Sequence, residues 1–298
     1  MPRSNGRKAF SPIELAVLIA VLAVLIGLLL PAVQEVRGAG SRVSCADNLR
    51  QIGRAIHDYA DANDGQLPYG HRNKSPLSGW ATLLLPYIGQ EKMVKQYRFD
   101  LDWYDPAQRK LISQPLKVMQ CPAVPDPDRT ITGTAAGVPY TVPPADYAAV
   151  SGITVDVVPA VFPPSYPRFG AMPVDETRRF IDILDGASNT LLVAEGAGRP
   201  QVWLDGKATA NVPPNDKSTW SAWNGNFIRG YSRDGKVMPG PCGVNCSNDN
   251  AIYGFHPGGA NGLLGDGSVR FLRQSTDVYV IYALATRAGG EVLADDDF

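Results

Sequence analysis

The sequence predicts an α+β protein, one long N-terminal α-helix followed by an antiparallel β-sheet domain with long loops. Three observations carry this prediction. Residues 10–63 hold an apolar run and then an amphipathic stripe, both at helical spacing. Short apolar runs bounded by turn residues recur after residue 145, as strands do. Eleven of the 25 prolines fall between Pro122 and Pro173, which leaves little room there for long regular elements.

From Leu15 to Leu30 there is no charged side chain, and the uncharged stretch continues to Gln34. As a helix it rises about 30 Å, the thickness of the bilayer hydrocarbon, so 10–34 reads as a membrane segment. Arg3, Arg7 and Lys8 precede it. By the positive-inside rule they hold the N-terminus in the cytoplasm and place the remainder outside. Glu14 sits at the mouth of the run, where an ionised carboxylate costs on the order of 1 kcal/mol or more and calls for a partner. A cut between Ala9 and Phe10 supplies one, a new α-ammonium at the same depth. A secretory signal peptide cut near Gly38-Ala39-Gly40 and an uncleaved signal anchor are the rival readings. Neither accounts for Glu14.

A short basic leader, a small residue, Phe, three residues, Glu and then an apolar helix together resemble the N-terminus of type IV prepilins and pseudopilins. The resemblance extends to Pro31, residue 22 of a chain that begins at Phe10. It implies a pilin-like fold: leader 1–9, cleavage and N-methylation at Ala9 and Phe10, a long helix over 10–63, and a globular head over 64–298. It further implies assembly contacts at Glu14 and Pro31. The implied partners are other copies of the chain, a prepilin peptidase, the pilus or type II secretion assembly machinery, and the inner membrane before assembly. Ala9 stands where Gly is usual, and Ser11-Pro12-Ile13 replaces the commoner Thr-Leu-Ile/Val. Pro12 is tolerable because the first helical turn has no N–H partner to lose.

The chain has 28 basic and 29 acidic residues, net charge −1, which offers no electrostatic footprint for nucleic acid. Four cysteines suit an oxidising compartment. Cys242-Gly-Val-Asn-Cys246 is spaced for a local bridge, leaving Cys45 and Cys121 to pair by elimination. Zinc is the rival reading, but two Cys-rich halves with ligand spacing are absent.

Along the chain, Leu49, Ile52, Ile56 and Tyr59 form an apolar stripe that ends at Asp64-Gly65. Residues 80–88, 91–97 and 106–119 read as short helices. Tyr140, Tyr147, Val150, Val161, Phe162 and Tyr166 argue for ordered loops in the proline-dense part, with a strand at 147–150. Strands at 179–184 and 190–195, joined by a turn cluster at 185–189, read as a hairpin. Trp203, Trp220 and Trp223 lie among Gly, Pro and Asn, a composition that fits either a core under long loops or a sugar-binding surface. Leu263-Leu264 and 269–272 flank Asp266-Gly267, a hairpin turn. A last helix over 277–287 is capped by Thr276 and stopped by Gly289, and Asp295 to Asp297 form a solvated tail.

His256, nine residues, then Asp266-Gly267 resembles the H-X9-DG signature of the bacterial DUF1559 family, whose members begin with prepilin-type N-termini. Residues 45–56, 80–87, 185–195 and 289–291 resemble it too. The resemblance implies architecture and export and supplies no activity. Ser268, His256 and Asp266 assemble a hydrolase triad only on paper, since Ser268 follows a hairpin glycine and lacks a strained elbow. No catalytic residue is expected. Asp266, Asn261 and backbone carbonyls offer oxygen ligands suited to calcium, as some pseudopilins use. Otherwise Asp266 serves the turn, His256 bonds nearby backbone, and no cofactor is needed. The expected function is structural, a filament or pseudopilus subunit assembling through its N-terminal helix. The alternative is a membrane-anchored or surface-displayed module whose 203–223 region contacts glycans or other envelope components.

Overall fold

The computed structural model describes residues 12–209, 218–222 and 224–293. The chain divides into two compact units, Met1–Ser41 and Arg42–Phe298. Helix α1, Pro12–Ala62, contributes its apolar half to the first and its amphipathic half to the second.

In the first unit the described large apolar side chains are exposed on every side of the helix. Val17, Leu18 and Ile19 each point about 100° from the last, and their exposures are 58%, 50% and 58%. The charge-free composition that reads as a membrane segment therefore gives no inward face. Among the described residues no helix is long and apolar enough to cross a membrane. The longest uncharged stretch of described side chains in α1, Leu15 to Gly27, rises only about 20 Å against about 30 Å of hydrocarbon.

The second unit is built on a five-stranded mixed sheet. Its strands are β1 (Tyr147–Ile153), β2 (Leu191–Glu195), β3 (Gly225–Ile228), β4 (Gly259–Leu264) and β5 (Val269–Arg273), in the order β5-β4-β2-β1-β3. All neighbours are antiparallel except β1 and β3. Every residue of β1, β2 and β4 is buried, because both faces of the sheet are covered. Ala149, Val193 and Leu263 share a core with Leu49, Ile52 and Ile56 of α1. Val150, Leu191 and Leu264 share the other with Ile281 and Leu284 of α2, Val278–Ala285. The expected stripe thus packs as a stripe. Gly53 lets it approach, since a Cβ there would stand 2.8 Å from Leu263 Cδ1. The helix ends where expected: Asp64 and Gly65 both take positive φ, and the Gly65 N–H donates to the Ala60 carbonyl.

Several elements differ from expectation. No strand forms over 179–184; Phe180–Asp182 is a 3₁₀ turn closed by the Asp182 carboxylate accepting from the Arg179 N–H. Ile181 and Leu184 are 76% exposed, so the alternating pattern has no sheet to face. β2 instead lies between β4 and β1. The helices expected over 80–119 are single turns, broken at Gly89, which takes positive φ, and at Pro115, while Pro86 and Pro106 sit in the first turns of two of them. The proline-dense part contains an unforeseen hairpin, Ile131–Ala135 with Val138–Val142, turned through Ala136 and Gly137 at positive φ. The cap of α2 is Asp277, whose carboxylate accepts from the Tyr279 N–H, not Thr276. The tail at Asp295 to Asp297 lies outside the described residues.

Candidate functional site

Strand β2 ends on Glu195, paired across the ladder with Tyr147 of β1, while β4 runs along its other side. Strand alternation puts Tyr147, Glu195 and Asn261 on the face that α1 covers. Glu195 is fully buried. Its Oε2 accepts from the Asn261 N–H at 2.7 Å and its Oε1 from Asn261 Nδ2 at 2.8 Å. His256, on the turn before β4, places Nε2 3.1 Å from the same Oε1 and 3.7 Å from Cys121 Sγ. A carboxylate only accepts, so His256 Nε2 carries a proton and donates to Glu195 Oε1. Cys121 is bonded to Cys45 of α1. Two sulfurs, a carboxylate oxygen and an imidazole nitrogen, all buried, therefore lie within 4.8 Å of one another.

The surroundings are polar and almost fully paired. Asn48 Nδ2 donates to the Gln120 carbonyl and to the Tyr147 hydroxyl, which donates in turn to the Cys45 carbonyl. Burial, and after it the charge of Glu195, pushes the Tyr147 hydroxyl well above its usual range. Asp146, also fully buried, accepts from the Cys121 and Gly198 N–H groups and pairs with Arg129. Burial raises its carboxyl, and the Arg129 charge opposes that rise. Gly254 is required here, because a Cβ would stand 2.5 Å from Glu195 Oε2.

The second disulfide, Cys242–Cys246, holds the segment that carries His256. Asn245, inside that small loop at positive φ, accepts from the Gly254 N–H and donates to the Gly259 carbonyl. It clamps the chain on both sides of His256. Both disulfides are the pairs expected from the sequence.

A family model described as a protein of unknown function (DUF1559) matches residues 34–279. The chain belongs to the DUF1559 family. The matched span includes the four cysteines, Glu195 and His256. No curated protein and no solved structure matches the chain.

In this DUF1559 chain the two ends of the H-X9-DG spacing separate. His256 is buried at one end of β4, and Asp266 with Gly267 forms the exposed turn at the other. Asp266 Oδ1 accepts from the Ser268 N–H at 2.9 Å and from Ser268 Oγ at 2.6 Å, and Gly267 supplies φ +84°. Ser268 is thus engaged in the turn, away from His256. The calcium candidates do not converge either: the Asn261 side chain bonds Glu195, and Asp266 serves Ser268. His256 bonds a carboxylate instead of the expected backbone group. Trp220 is core, its Nε1 donating to the Gln114 carbonyl, and Trp203 is half-buried. Glu14 is exposed on α1, and the helix continues through Pro31. Ala9, Phe10 and Trp223 lie outside the described residues.

Sequence reasoning missed Glu195. Its signal was an acidic residue ending an otherwise apolar run, Leu191–Glu195.

Proposed function

We propose that this DUF1559 chain is the structural subunit of a type IV pilus-like or type II secretion pseudopilus-like polymer, assembled through the apolar half of α1. One observation carries the reading. From Ile13 to Val33 large apolar side chains are exposed around the whole helix. Covering one such side chain contributes about 1.5–3 kcal/mol, so a surface apolar on all sides is stable only within lipid or among several like helices. The prepilin-like sequence around Phe10 and Glu14 supports both in turn, the inner membrane before assembly and sister helices after it. On this reading a prepilin peptidase removes residues 1–9, the secretion machinery extracts the subunit, and the head stands outside the cytoplasm. The two disulfides suit that compartment. The role is architectural and needs no catalytic group.

The test is to image material sheared from cells and to sequence its subunits by mass spectrometry. Polymer whose chains begin at Phe10 is expected. Chains that begin near Ser41, with no polymer, overturn the reading.

A second reading, a tethered module that binds glycans, draws on a cleft of about 320 Å³. Arg72, Tyr104 and the mostly buried Trp103 and Tyr140 line it, and an aromatic ring beside a polar group suits sugar rings. Monomeric chain retained on a polysaccharide column, and released by Trp103→Ala, would favour it.

A further inference from the structure

We propose that Cys45, Cys121, Glu195 and His256 form a closed structural site for zinc in the dithiol form of the chain. The donor set is the first ground. Two thiolates, one imidazole and one carboxylate make a set that zinc takes in tetrahedral sites, with bonds of about 2.0–2.3 Å and donor atoms therefore about 3.3–3.8 Å apart. The four donor atoms here already lie within 4.8 Å of one another. The bonded sulfurs must move apart, and donors that stand up to 4.8 Å from one another must close by about 1 Å.

Charge balance is the second ground. Among the described residues, the ion-pair partner of Glu195 is His256 alone. Zinc with two thiolates is neutral, as the disulfide is, so exchanging one for the other leaves the net charge of the buried site unchanged. An unbridged pair of thiolates would add two buried charges, which metal-free burial disfavours strongly.

The third ground is the supporting shell. Asn261 fixes Glu195 through its backbone N–H and its side chain at 2.7 and 2.8 Å, as outer-shell groups fix metal ligands. Cys45, Cys121 and Glu195 are at most 1% exposed and His256 is 3% exposed, which marks a closed structural site and not one open to substrate. His256 Nδ1 is buried without a hydrogen-bond partner. With Nε2 on the metal the proton moves to that atom, so affinity falls below that of a site whose imidazole is backed by an acceptor. The four ligands come from α1, the loop at 121, β2 and the turn at 256, so no local spacing announces them.

Zinc binding to the two thiols releases two protons. Closure of the Cys45–Cys121 bond then requires an oxidant of the disulfide class: the two thiolates give up two electrons, the partner disulfide becomes two thiolates, and Zn²⁺ leaves.

The test uses the full-length chain in detergent, reduced with a phosphine under anaerobic conditions, with cobalt(II) alone as probe. One cobalt per chain is expected, with a thiolate-to-cobalt charge-transfer band and the visible bands of a tetrahedral ion. The oxidised chain and the Cys45→Ser/Cys121→Ser variant should lack the band, and the Cys242→Ser/Cys246→Ser variant should keep it. His256→Gln should weaken cobalt binding by at least about 10-fold. Zinc should displace the cobalt and preserve the near-ultraviolet circular dichroism of the reduced chain. The proposal is overturned by a reduced chain without the band, folded or not, by the same band in the oxidised or Cys45/Cys121 variant chain, or by its loss from the Cys242/Cys246 variant.

Discussion

Glu195 Oε1 stands 3.1 Å from His256 Nε2, with neither side chain reached by solvent. The same carboxylate takes both donors of Asn261, so one acidic residue gathers the end of β2, the turn before β4 and β4 itself. Truncating it strands three buried donors at once. Glu195→Ala is expected to destabilise the chain by about 3–5 kcal/mol, the usual consequence of breaking a buried charged pair. Glu195→Gln keeps one acceptor and should lose less, about 1–3 kcal/mol. Urea unfolding of the full chain in detergent, followed by tryptophan fluorescence, measures both.

The two disulfides close loops of very different length, with sequence separations of 76 and 4. Chain-entropy arithmetic gives about 4.5 kcal/mol for the long loop and about 2 kcal/mol for the short one. Cys45→Ser/Cys121→Ser is therefore expected to lower the urea midpoint at least twice as far as Cys242→Ser/Cys246→Ser. Equal losses would mean that the short loop does more through Asn245, which clamps the His256 segment, than through entropy.

His71 gives the chain a pH dependence of definite sign. Burial lowers its imidazole to about 4, against a small upward pull from Asp175, whereas in the unfolded chain it titrates near 6.5. A depressed folded-state value means that the unfolded chain binds the proton more readily. Stability from this group is full above about pH 6.5 and is lost as pH falls towards about 4. The slope reaches about 1.4 kcal/mol per pH unit and the whole window spans about 3 kcal/mol. The melting temperature should fall through that window, and His71→Gln should flatten the fall. An unchanged slope in the variant would assign it to other groups.

The sequence carried the features that depend on near neighbours. Leu49, Ile52 and Ile56 announce their buried stripe because helical spacing is local, and Asp266-Gly267 announces its turn because the positive φ it needs is supplied by one residue, Gly267. The Cys242–Cys246 disulfide was legible from its spacing, and Cys45–Cys121 by elimination. Glu195 and His256 were not legible as partners, since 61 residues separate them and only the β2–β4 pairing brings them together. Residues 179–184 misled for the converse reason. Phe180, Ile181 and Ile183 suit a strand, but strand formation requires a free sheet edge, and β2 already has neighbours on both sides.

Glu14 carries the final prediction. It is exposed at the start of α1, beside Ile13 and Leu15, which are exposed too. In the proposed polymer its carboxylate meets the α-ammonium of Phe10 on a neighbouring subunit as the apolar helices bundle. A lone charge in low dielectric is costly, and a matched pair recovers much of that cost, so the pairing favours one axial register of subunit addition. Before assembly, water or lipid headgroups at the membrane surface serve both groups. The two states therefore respond differently to one substitution. Glu14→Ala should leave membrane insertion intact, even easing it by removing a charge. In the polymer it leaves an unmatched ammonium, and a loss of about 3–5 kcal/mol lowers subunit addition by more than about 10-fold. Membrane fractionation and the yield of sheared polymer measure the two arms. If Glu14→Ala chains are cut before Phe10 and still give polymer at the wild-type level, Glu14 is not an assembly contact.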